Sequence, residues 1–335
     1  MSDSIHHPHD KLITQILTDL EEAASFLQAY LPESLSQKID WSTLAQVKGT
    51  FIDEEYQDSA SDLLYLVQEL ESEEPLFLYV LLEHQSKPDK WMSFRFLKYM
   101  CRIWDESFKT FPKQQELVPI IPLVFYQGKH SWNYSTQFRD LFRESARQLN
   151  FIPNFTHFLV DQSGIKSDEV KGALKARIAQ LLMLAAYHEV MDDMLGILPQ
   201  LLAQLPPTGG LNYLVIFVRY LADTQAPDRV EKLIELTKDL SPKIGGEMLT
   251  ARQAWRLEGE KKGKREGKRE GELKGELKTV ESFLKAGVGW DIISHATGIT
   301  QEKLQELKLK LQEMSSSSAE TNPLNNPIYA RYLTE

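Results

Sequence analysis

Two apolar segments that flank an acidic stretch ending in proline place the strongest constraint on the fold of this 335-residue chain. Residues 63–67 and 76–82 are rich in Leu, Val, Tyr and Phe, and residues 69–75 read E-L-E-S-E-E-P. Apolar runs of this length, separated by a short polar stretch, predict a β-hairpin. Residues 50–52 begin another strand-like segment, so we expect the hairpin to belong to a larger sheet.

Symmetric pairing of this hairpin sets two carboxylates opposite each other. The turn is centred between Ser72 and Glu73, so the numbers of paired residues add to 145. Asp62 then faces Glu83, with Cβ atoms roughly 5 Å apart. Gln85 points to the same side, because strand side chains alternate with a period of two. We therefore predict that the Asp62 and Glu83 carboxylates lie within about 6 Å of each other, close enough to share one cation.

The opposed carboxylates of Asp62 and Glu83 require a compensating charge. Like charges placed opposite each other destabilise a sheet, and a buried charge needs a partner. A divalent cation such as Mg²⁺ offsets this cost, because it binds one or two carboxylates together with phosphate and water. The alternative is a slipped register, in which both residues are ordinary solvated charges at strand ends.

The segments around the hairpin interleave helices with strands. Periodicity predicts helices near residues 11–20, 23–30, 92–104 and 138–150, a short helix over residues 39–48, and strands over residues 117–126 and 155–160. Pro119 and Pro122 suit an edge or bulged strand. This alternation predicts an α/β core that ends near residue 165.

Basic side chains gather on the helix that is predicted to follow the hairpin. Arg95, Lys98 and Arg102 are spaced i, i+3 and i+7, which sets them on one helix face. Lys129 lies in a loop that is predicted to border the cleft. Beside the two carboxylates, such a row of cations would bind DNA phosphates. The alternative is a solvated polar face.

The histidines near the N-terminus allow two interpretations. His9 and Asp10 precede the first predicted helix, where Asp10 can cap the helix N-terminus at the end of a polar tail. In the other interpretation the two residues support the site, and only the family resemblance described below favours it.

The chain after residue 165 is predicted to be all-helical and to consist of four segments. Residues 166–250 carry helical periodicity, and residues 251–278 form a charged helical linker in which glycine recurs every four residues. Residues 279–313 read as a small helical hairpin similar to a helix-turn-helix, and residues 314–335 as a disordered tail. We expect this half to act as a tether or to hold a homo-oligomer together.

Several ordered motifs in the first half of the chain resemble the Rpn family of recombination-promoting nucleases, also known as YhgA-like transposases, within the PD-(D/E)XK nuclease superfamily. The motifs are H-D at 9–10, F-L-x-x-Y-L-P at 26–32, D-L-L-Y at 62–65, L-L-E-H-Q-S at 81–86, M-S-F-R-F-L-K-Y-M at 92–100 and Y-x-G-x-x-x-W at 126–132. The resemblance covers roughly residues 9–165. It implies a PD-(D/E)XK-like mixed sheet flanked by helices.

This resemblance also implies a function, that of a metal-dependent DNA endonuclease which promotes recombination or is linked to mobile elements. Asp62 and Glu83 would hold Mg²⁺ or Mn²⁺, Gln85 would complete the catalytic set, and His9 and Asp10 would support it. The superfamily usually has lysine two residues after the glutamate, where this chain has Gln85. An amide cannot serve as a general base, so the activation of the attacking water stays open.

The composition of the chain limits its environment and its partners. There is one cysteine, Cys101, so an intramolecular disulfide is excluded. No apolar run approaches the ~18 residues that span a bilayer, and the N-terminus lacks the apolar region of a signal peptide. We therefore expect a cytoplasmic protein with no membrane partner.

The net charge of −10 counts against nucleic acid as the partner, because binding to the phosphate backbone needs clustered Lys and Arg. Two further functions therefore stay open. One is a non-catalytic scaffold with a nuclease-like core, whose helical half binds partners. The other is a DNA-binding regulator that acts through residues 289–310.

Overall fold

The computed structural model describes residues 8–47, 63–72, 74–83, 88–128, 130–188, 190–206 and 211–310. The chain divides into two compact units, residues 1–252 and residues 253–335. The strands are β1 (Ile39–Gln46), β2 (Leu63–Glu69), β3 (Pro75–Glu83), β4 (Ile120–Tyr126) and β5 (Phe158–Asp161). The helices are α1 (Pro8–Leu17), α2 (Leu20–Tyr30), α3 (Glu33–Ser36), α4 (Met92–Thr110), α5 (Leu174–His188), α6 (Met191–Met194), α7 (Leu198–Leu202), α8 (Leu211–Thr224), α9 (Pro227–Leu240), α10 (Pro242–Lys285) and α11 (Trp290–Thr297). Among the described helices, none has both the length and the hydropathy that crossing a bilayer requires.

One five-stranded sheet organises the first unit, with its strands in the order β1-β2-β3-β4-β5. Strands β1, β2 and β3 are antiparallel neighbours, whereas β3, β4 and β5 run parallel. This arrangement confirms the predicted α/β class, the mixed sheet flanked by helices and the helical region that follows it. The predicted hairpin is also confirmed, as β2 and β3.

The register of the hairpin differs from the predicted one by two residues. Leu63 pairs with Val80, so paired residue numbers add to 143 and not to 145. The prediction was wrong because it assigned Glu69 and Pro75 to the turn, whereas they belong to the ends of the two strands. Proline is tolerated at the first residue of a strand. A shift of two residues preserves the alternation of faces, so positions that share a face in one register also share it in the other.

Helices cover both faces of the sheet. One face packs against α1, α2 and α5, and its core includes the buried side chains of Ile16, Tyr65 and Phe125. The opposite face packs against α4, through Phe96 and Val124 among others. We call these the α1 face and the α4 face. The sheet therefore lies between two separate apolar cores. Each large apolar side chain buried in them stabilises the folded state by roughly 1.5–3 kcal/mol.

Two of the predicted helices are not α-helices. Residues 39–48 were expected to be helical, but Ile39–Gln46 forms strand β1, paired with β2. An irregularity between Asp40 and Ala45 shifts the register, and this break hides the period of two by which a strand is recognised. Residues 138–150 were also expected to form one helix, and they contain two short 3₁₀ helices, Phe138–Leu141 and Glu144–Ala146.

Strand β4 is an interior strand, which corrects the expectation of an edge strand. It pairs with β3 from Ile120 onward, but with β5 only from Leu123 onward. Pro122 therefore lies on the stretch of β4 that has a strand neighbour on one side only. A missing backbone N–H is tolerated at such a position, which is why the prolines misled the prediction.

Gly245 allows α10 to approach α9 closely. A Cβ atom added at Gly245 would lie 2.4 Å from the Cα of Lys238, whereas one added at the adjacent Gly246 meets no described atom within 4 Å. Gly245 is therefore needed for packing, and Gly246 is not.

We predict that Gly245→Ala lowers the free energy of unfolding by about 1–3 kcal/mol, because the backbone of α9 must move to admit the methyl group. Gly246→Ala is the matched control and should raise it by up to ~1 kcal/mol, since alanine favours a helix. Chemical denaturation of both variants measures the two effects. Equal stability of the variants would show that this contact does not constrain the helices.

The second unit is helical in the part that the structure describes. Its core contains the buried side chains of Val280, Ile293, Ile299, Leu304 and Leu307. These residues come from α10, α11, the connection that follows α11 and the helical stretch at residues 301–310. Gly298 ends α11 in the left-handed conformation, with φ of 68°, where glycine avoids a steric penalty.

Candidate functional site

The carboxyl ends of β3, β4 and β5 meet at one edge of the sheet, because these three strands are parallel. Glu83, the last residue of β3, pairs with Tyr126, and Tyr126 pairs with Asp161. Helix α4 connects β3 to β4 and returns the chain to the opposite edge, so α4 begins at this carboxyl edge. Ligands of open α/β sheets bind at such an edge. We therefore take it as the candidate site.

The predicted metal-binding residues are only partly covered by the described structure. Asp62, Gln85 and Lys129 lie outside the described residues. Glu83 is described as the end of β3, but its side chain is not. The predicted approach of the Asp62 and Glu83 carboxylates to within about 6 Å thus stays a prediction.

His9 and Asp10 lie on α1, which packs on the α1 face of the sheet. The Nδ1 atom of His9 is 2.6 Å from the hydroxyl of Tyr220, and its ring lies 4.5 Å from the ring of Tyr187. Asp10 was expected to cap the first helix, but α1 begins at Pro8, so Asp10 lies inside it. The structure packs His9 against α5 and α8, and its support of the site stays a prediction.

The predicted row of cations lies on α4, and hence on the opposite face of the sheet from His9. The Nη1 atom of Arg95 is 3.4 Å from the Oδ2 atom of Asp89. Lys98 is exposed, and its Nζ atom lies over the ring of Phe94. Arg102 is half-buried one turn further on. The three basic residues thus follow one another along α4, at increasing distance from the carboxyl edge.

A buried Ser93–His157 pair lies between α4 and the sheet. The Ser93 Oγ atom is 3.1 Å from the Nδ1 atom of His157, and each residue is 1% exposed. The rings of Phe96 and Trp132 pack against the imidazole. The Nε2 atom of His157 has no hydrogen-bond partner among the described residues. Burial lowers the pKa of His157 from 6.5 to about 4, so the imidazole is neutral at pH 7.

Tyr126 and Asp161 shape the loop that follows β4, and sequence reasoning missed both as members of the site. The Oδ2 atom of Asp161 accepts a hydrogen bond from the backbone N–H of Trp132 at 2.9 Å. The Tyr126 hydroxyl donates to the carbonyl oxygen of His130 at 2.8 Å. Both residues end their strands, so parallel pairing of the two predicted strands would have been the signal that reveals them.

The set of donors predicted for this edge suits a divalent cation. The predicted donors are two carboxylates, Asp62 and Glu83, and the amide oxygen of Gln85, a set that matches the preference of Mg²⁺ for hard oxygen ligands. The described residues contain no cluster of three or more His, Cys, Asp or Glu residues arranged around one point. A metal ion is therefore expected at this edge on the ligand chemistry of Asp62, Glu83 and Gln85.

Comparison with known proteins relates the chain to one family. The model of the family described as "Putative transposase, YhgA-like" matches residues 7–209. The chain is 29% identical to the recombination-promoting nuclease RpnA of Escherichia coli (strain K12) over 306 residues, which cover 89% of this chain and 96% of RpnA. It is 30% identical to the recombination-promoting nuclease RpnC of the same organism over 253 residues, which cover 74% of this chain and 80% of RpnC.

The similarity also extends to a relative that is named as inactive. The inactive recombination-promoting nuclease-like protein RpnE of Escherichia coli (strain K12) is 29% identical over 263 residues, which cover 76% of this chain and 83% of RpnE. No solved structure matches the chain significantly.

Proposed function

We propose, on the premise that this chain belongs to the YhgA-like transposase family, that it is a metal-dependent DNA endonuclease that promotes recombination. The names of RpnA and RpnC support the broader part of this statement, a nuclease role in recombination. DNA as the substrate, internal cleavage and dependence on Mg²⁺ or Mn²⁺ are the finer parts of the proposal.

The observation that supports the proposal most is that Glu83 ends its strand at the same sheet edge where the basic helix α4 begins. Glu83 ends β3 in register with Tyr126 and Asp161. Helix α4 begins at the same edge and carries Arg95 and Lys98 in its first two turns. Metal-dependent cleavage of a phosphodiester uses basic side chains that bind the phosphate charge and a metal ion held beside the scissile bond. An edge built in this way can supply both.

In the proposed mechanism, Asp62 and Glu83 would hold the metal ion through their carboxylate oxygens. When bound, Mg²⁺ or Mn²⁺ supplies charge stabilisation of the phosphate and lowers the pKa of a coordinated water. Gln85 orients the attacking water through its amide, since it cannot accept the proton itself. Arg95 and Lys98, together with Arg102 and Lys129, bind the DNA backbone on either side of the scissile phosphate.

Cleavage of supercoiled plasmid by the purified full-length chain tests the proposal. We expect nicked and linear products with Mg²⁺ or Mn²⁺, none with EDTA, and none from the Asp62→Ala variant at any metal concentration. Cleavage that persists in EDTA would argue against metal dependence. Equal cleavage by wild type and Asp62→Ala would argue against this site.

A second candidate function is a non-catalytic scaffold that binds protein partners. It is favoured by the similarity to RpnE, whose name marks it as inactive, at nearly the same identity as to RpnA. The net charge of −10 points in the same direction, because it opposes DNA binding outside local basic patches. The two functions differ in the plasmid assay, since a scaffold leaves the DNA intact with every metal.

A further inference from the structure

Two large aromatic side chains stand in solvent at the beginning of α4. Trp91 is 54% exposed and Phe94 is 45% exposed. They are three residues apart, so their rings lie on the same side of the helix. Two neighbouring aromatic rings in water leave a sizeable apolar surface uncovered, and such surfaces often mark a binding site.

A lysine accompanies each of the two rings. The Nζ atom of Lys90 lies 5.6 Å from the ring centroid of Trp91, and the Nζ atom of Lys98 lies 5.4 Å from that of Phe94. Both lysines are exposed. The surface formed by these four residues, which we call the aromatic–lysine strip, thus combines flat apolar rings with positive charge.

The position of the strip connects it to the candidate site. Because α4 begins at the carboxyl edge of the sheet, Trp91 and Phe94 lie at the same edge as Glu83. A DNA chain whose phosphate reaches that edge can place its neighbouring nucleotides on the strip.

We infer that Trp91 and Phe94 stack unpaired bases, so that the substrate of this site carries a single-stranded segment beside the cleaved bond. The inference rests on the proposed nuclease function and adds the class of DNA. Bases within a duplex have both faces covered by their neighbours, so exposed rings can stack only on unpaired or terminal bases. The two lysines favour a polyanion over an apolar protein segment, because their charges would be desolvated without compensation against such a segment.

Binding measured without cleavage tests this inference. Fluorescence anisotropy in EDTA is recorded for the full-length chain with a labelled oligothymidylate and with a labelled duplex long enough that its terminal bases are a small fraction of the binding sites. We expect Trp91→Ala and Phe94→Ala each to weaken binding to the single strand about fivefold or more, with a change of less than about twofold on the duplex. Trp91→Phe should restore most of the single-strand affinity, because it retains a ring.

Phe111→Ala is the matched control on the same helix. Phe111 is 60% exposed and follows the last residue of α4, some twenty residues and about 30 Å from Trp91. We expect it to bind both probes like the wild type. Lys98→Ala should instead weaken binding to both probes and reduce the dependence of affinity on salt by about one ion.

The outcomes separate this inference from the function on which it rests. Stacking is refuted if the wild type binds DNA and the Trp91→Ala and Phe94→Ala variants bind the single strand with wild-type affinity. The nuclease proposal then stands. Equal losses on both probes also refute stacking. If the wild type binds neither probe, the inference fails, and plasmid cleavage with Mg²⁺ or Mn²⁺ then tests the proposed function by itself.

Discussion

Replacing Glu83 with glutamine should slow metal-dependent plasmid cleavage by about 10³-fold or more and leave the melting temperature level or slightly higher. A factor of 10³ corresponds to about 4 kcal/mol of transition-state stabilisation, within the several kcal/mol that a correctly held metal ion supplies. The neutral side chain also removes one of two like charges that are predicted to share a face at this edge of the sheet. Loss of activity without loss of stability is typical of active-site carboxylates.

Glu74→Gln provides the control for Glu83→Gln. Glu74 is exposed and precedes β3 at the end opposite to Glu83, and the hairpin uses its main-chain groups: the carbonyl oxygen accepts from the Glu69 N–H at 2.9 Å and the N–H donates to the Ser72 Oγ at 3.3 Å. Nicking rates and thermal melting are measured side by side for wild type, Glu83→Gln, Asp62→Ala, Gln85→Lys and Glu74→Gln. Gln85→Lys restores the residue that is usual in the superfamily and should keep measurable activity. If Glu83→Gln and Asp62→Ala both cleave at the wild-type rate, the scaffold becomes the better interpretation.

Lowering the pH from above 6.5 to about 4 should cost the protein about 3 kcal/mol of stability through His157 alone. Burial lowers the pKa of His157 from 6.5 to about 4 in the folded state. Between these two values the unfolded chain binds a proton that the folded chain does not, so stability falls as the pH falls. Each pH unit of this window contributes about 1.4 kcal/mol.

Chemical denaturation at several pH values isolates this contribution. His157→Asn stays neutral and can accept a hydrogen bond from Ser93, so its stability should fall about 3 kcal/mol less than that of the wild type across the window. His130→Asn is the control, because His130 is exposed and uses only its carbonyl oxygen to accept the Tyr126 hydrogen bond. If the stabilities of the wild type and of His157→Asn fall in parallel as the pH falls, protonation of His157 does not destabilise the folded protein.

Local patterns were sufficient for much of the fold, but long-range pairing was not. The apolar runs of the hairpin and the helical spacing of Met92 and Phe96 predicted β2, β3 and α4. Strand β1 was misread because its irregularity between Asp40 and Ala45 interrupts the alternation of side chains. The two-residue error in register has a similar cause, since Glu69, which was assigned to the turn, is paired in β2 with Ile39 of β1, a residue distant in sequence.

In the candidate site, too, only the residues that depend on a local pattern could be predicted. The positions of Glu83 and of the cations on α4 follow from sequence, because they depend on one strand end and one helix face. Ser93 and His157 could not be paired in advance, since 64 residues separate them and the motif that contains Ser93, at residues 92–100, does not include His157. Asp161 was visible as the end of a strand, but its contact with Trp132 depends on the path of the loop that follows β4.

The agreement between strand order and chain order has a consequence for synthesis on the ribosome. Each strand pairs with the strand made just before it, so the sheet can grow at one edge as the polypeptide emerges, without rearranging pairs already formed. Helix α1 precedes the sheet in the chain and packs also against α5 and α8, so the side of α1 that these two helices cover stays exposed until residues 174–224 have been translated. A chain released before Thr224 would retain that side of α1 without its helical partners, and such uncovered apolar surface favours aggregation.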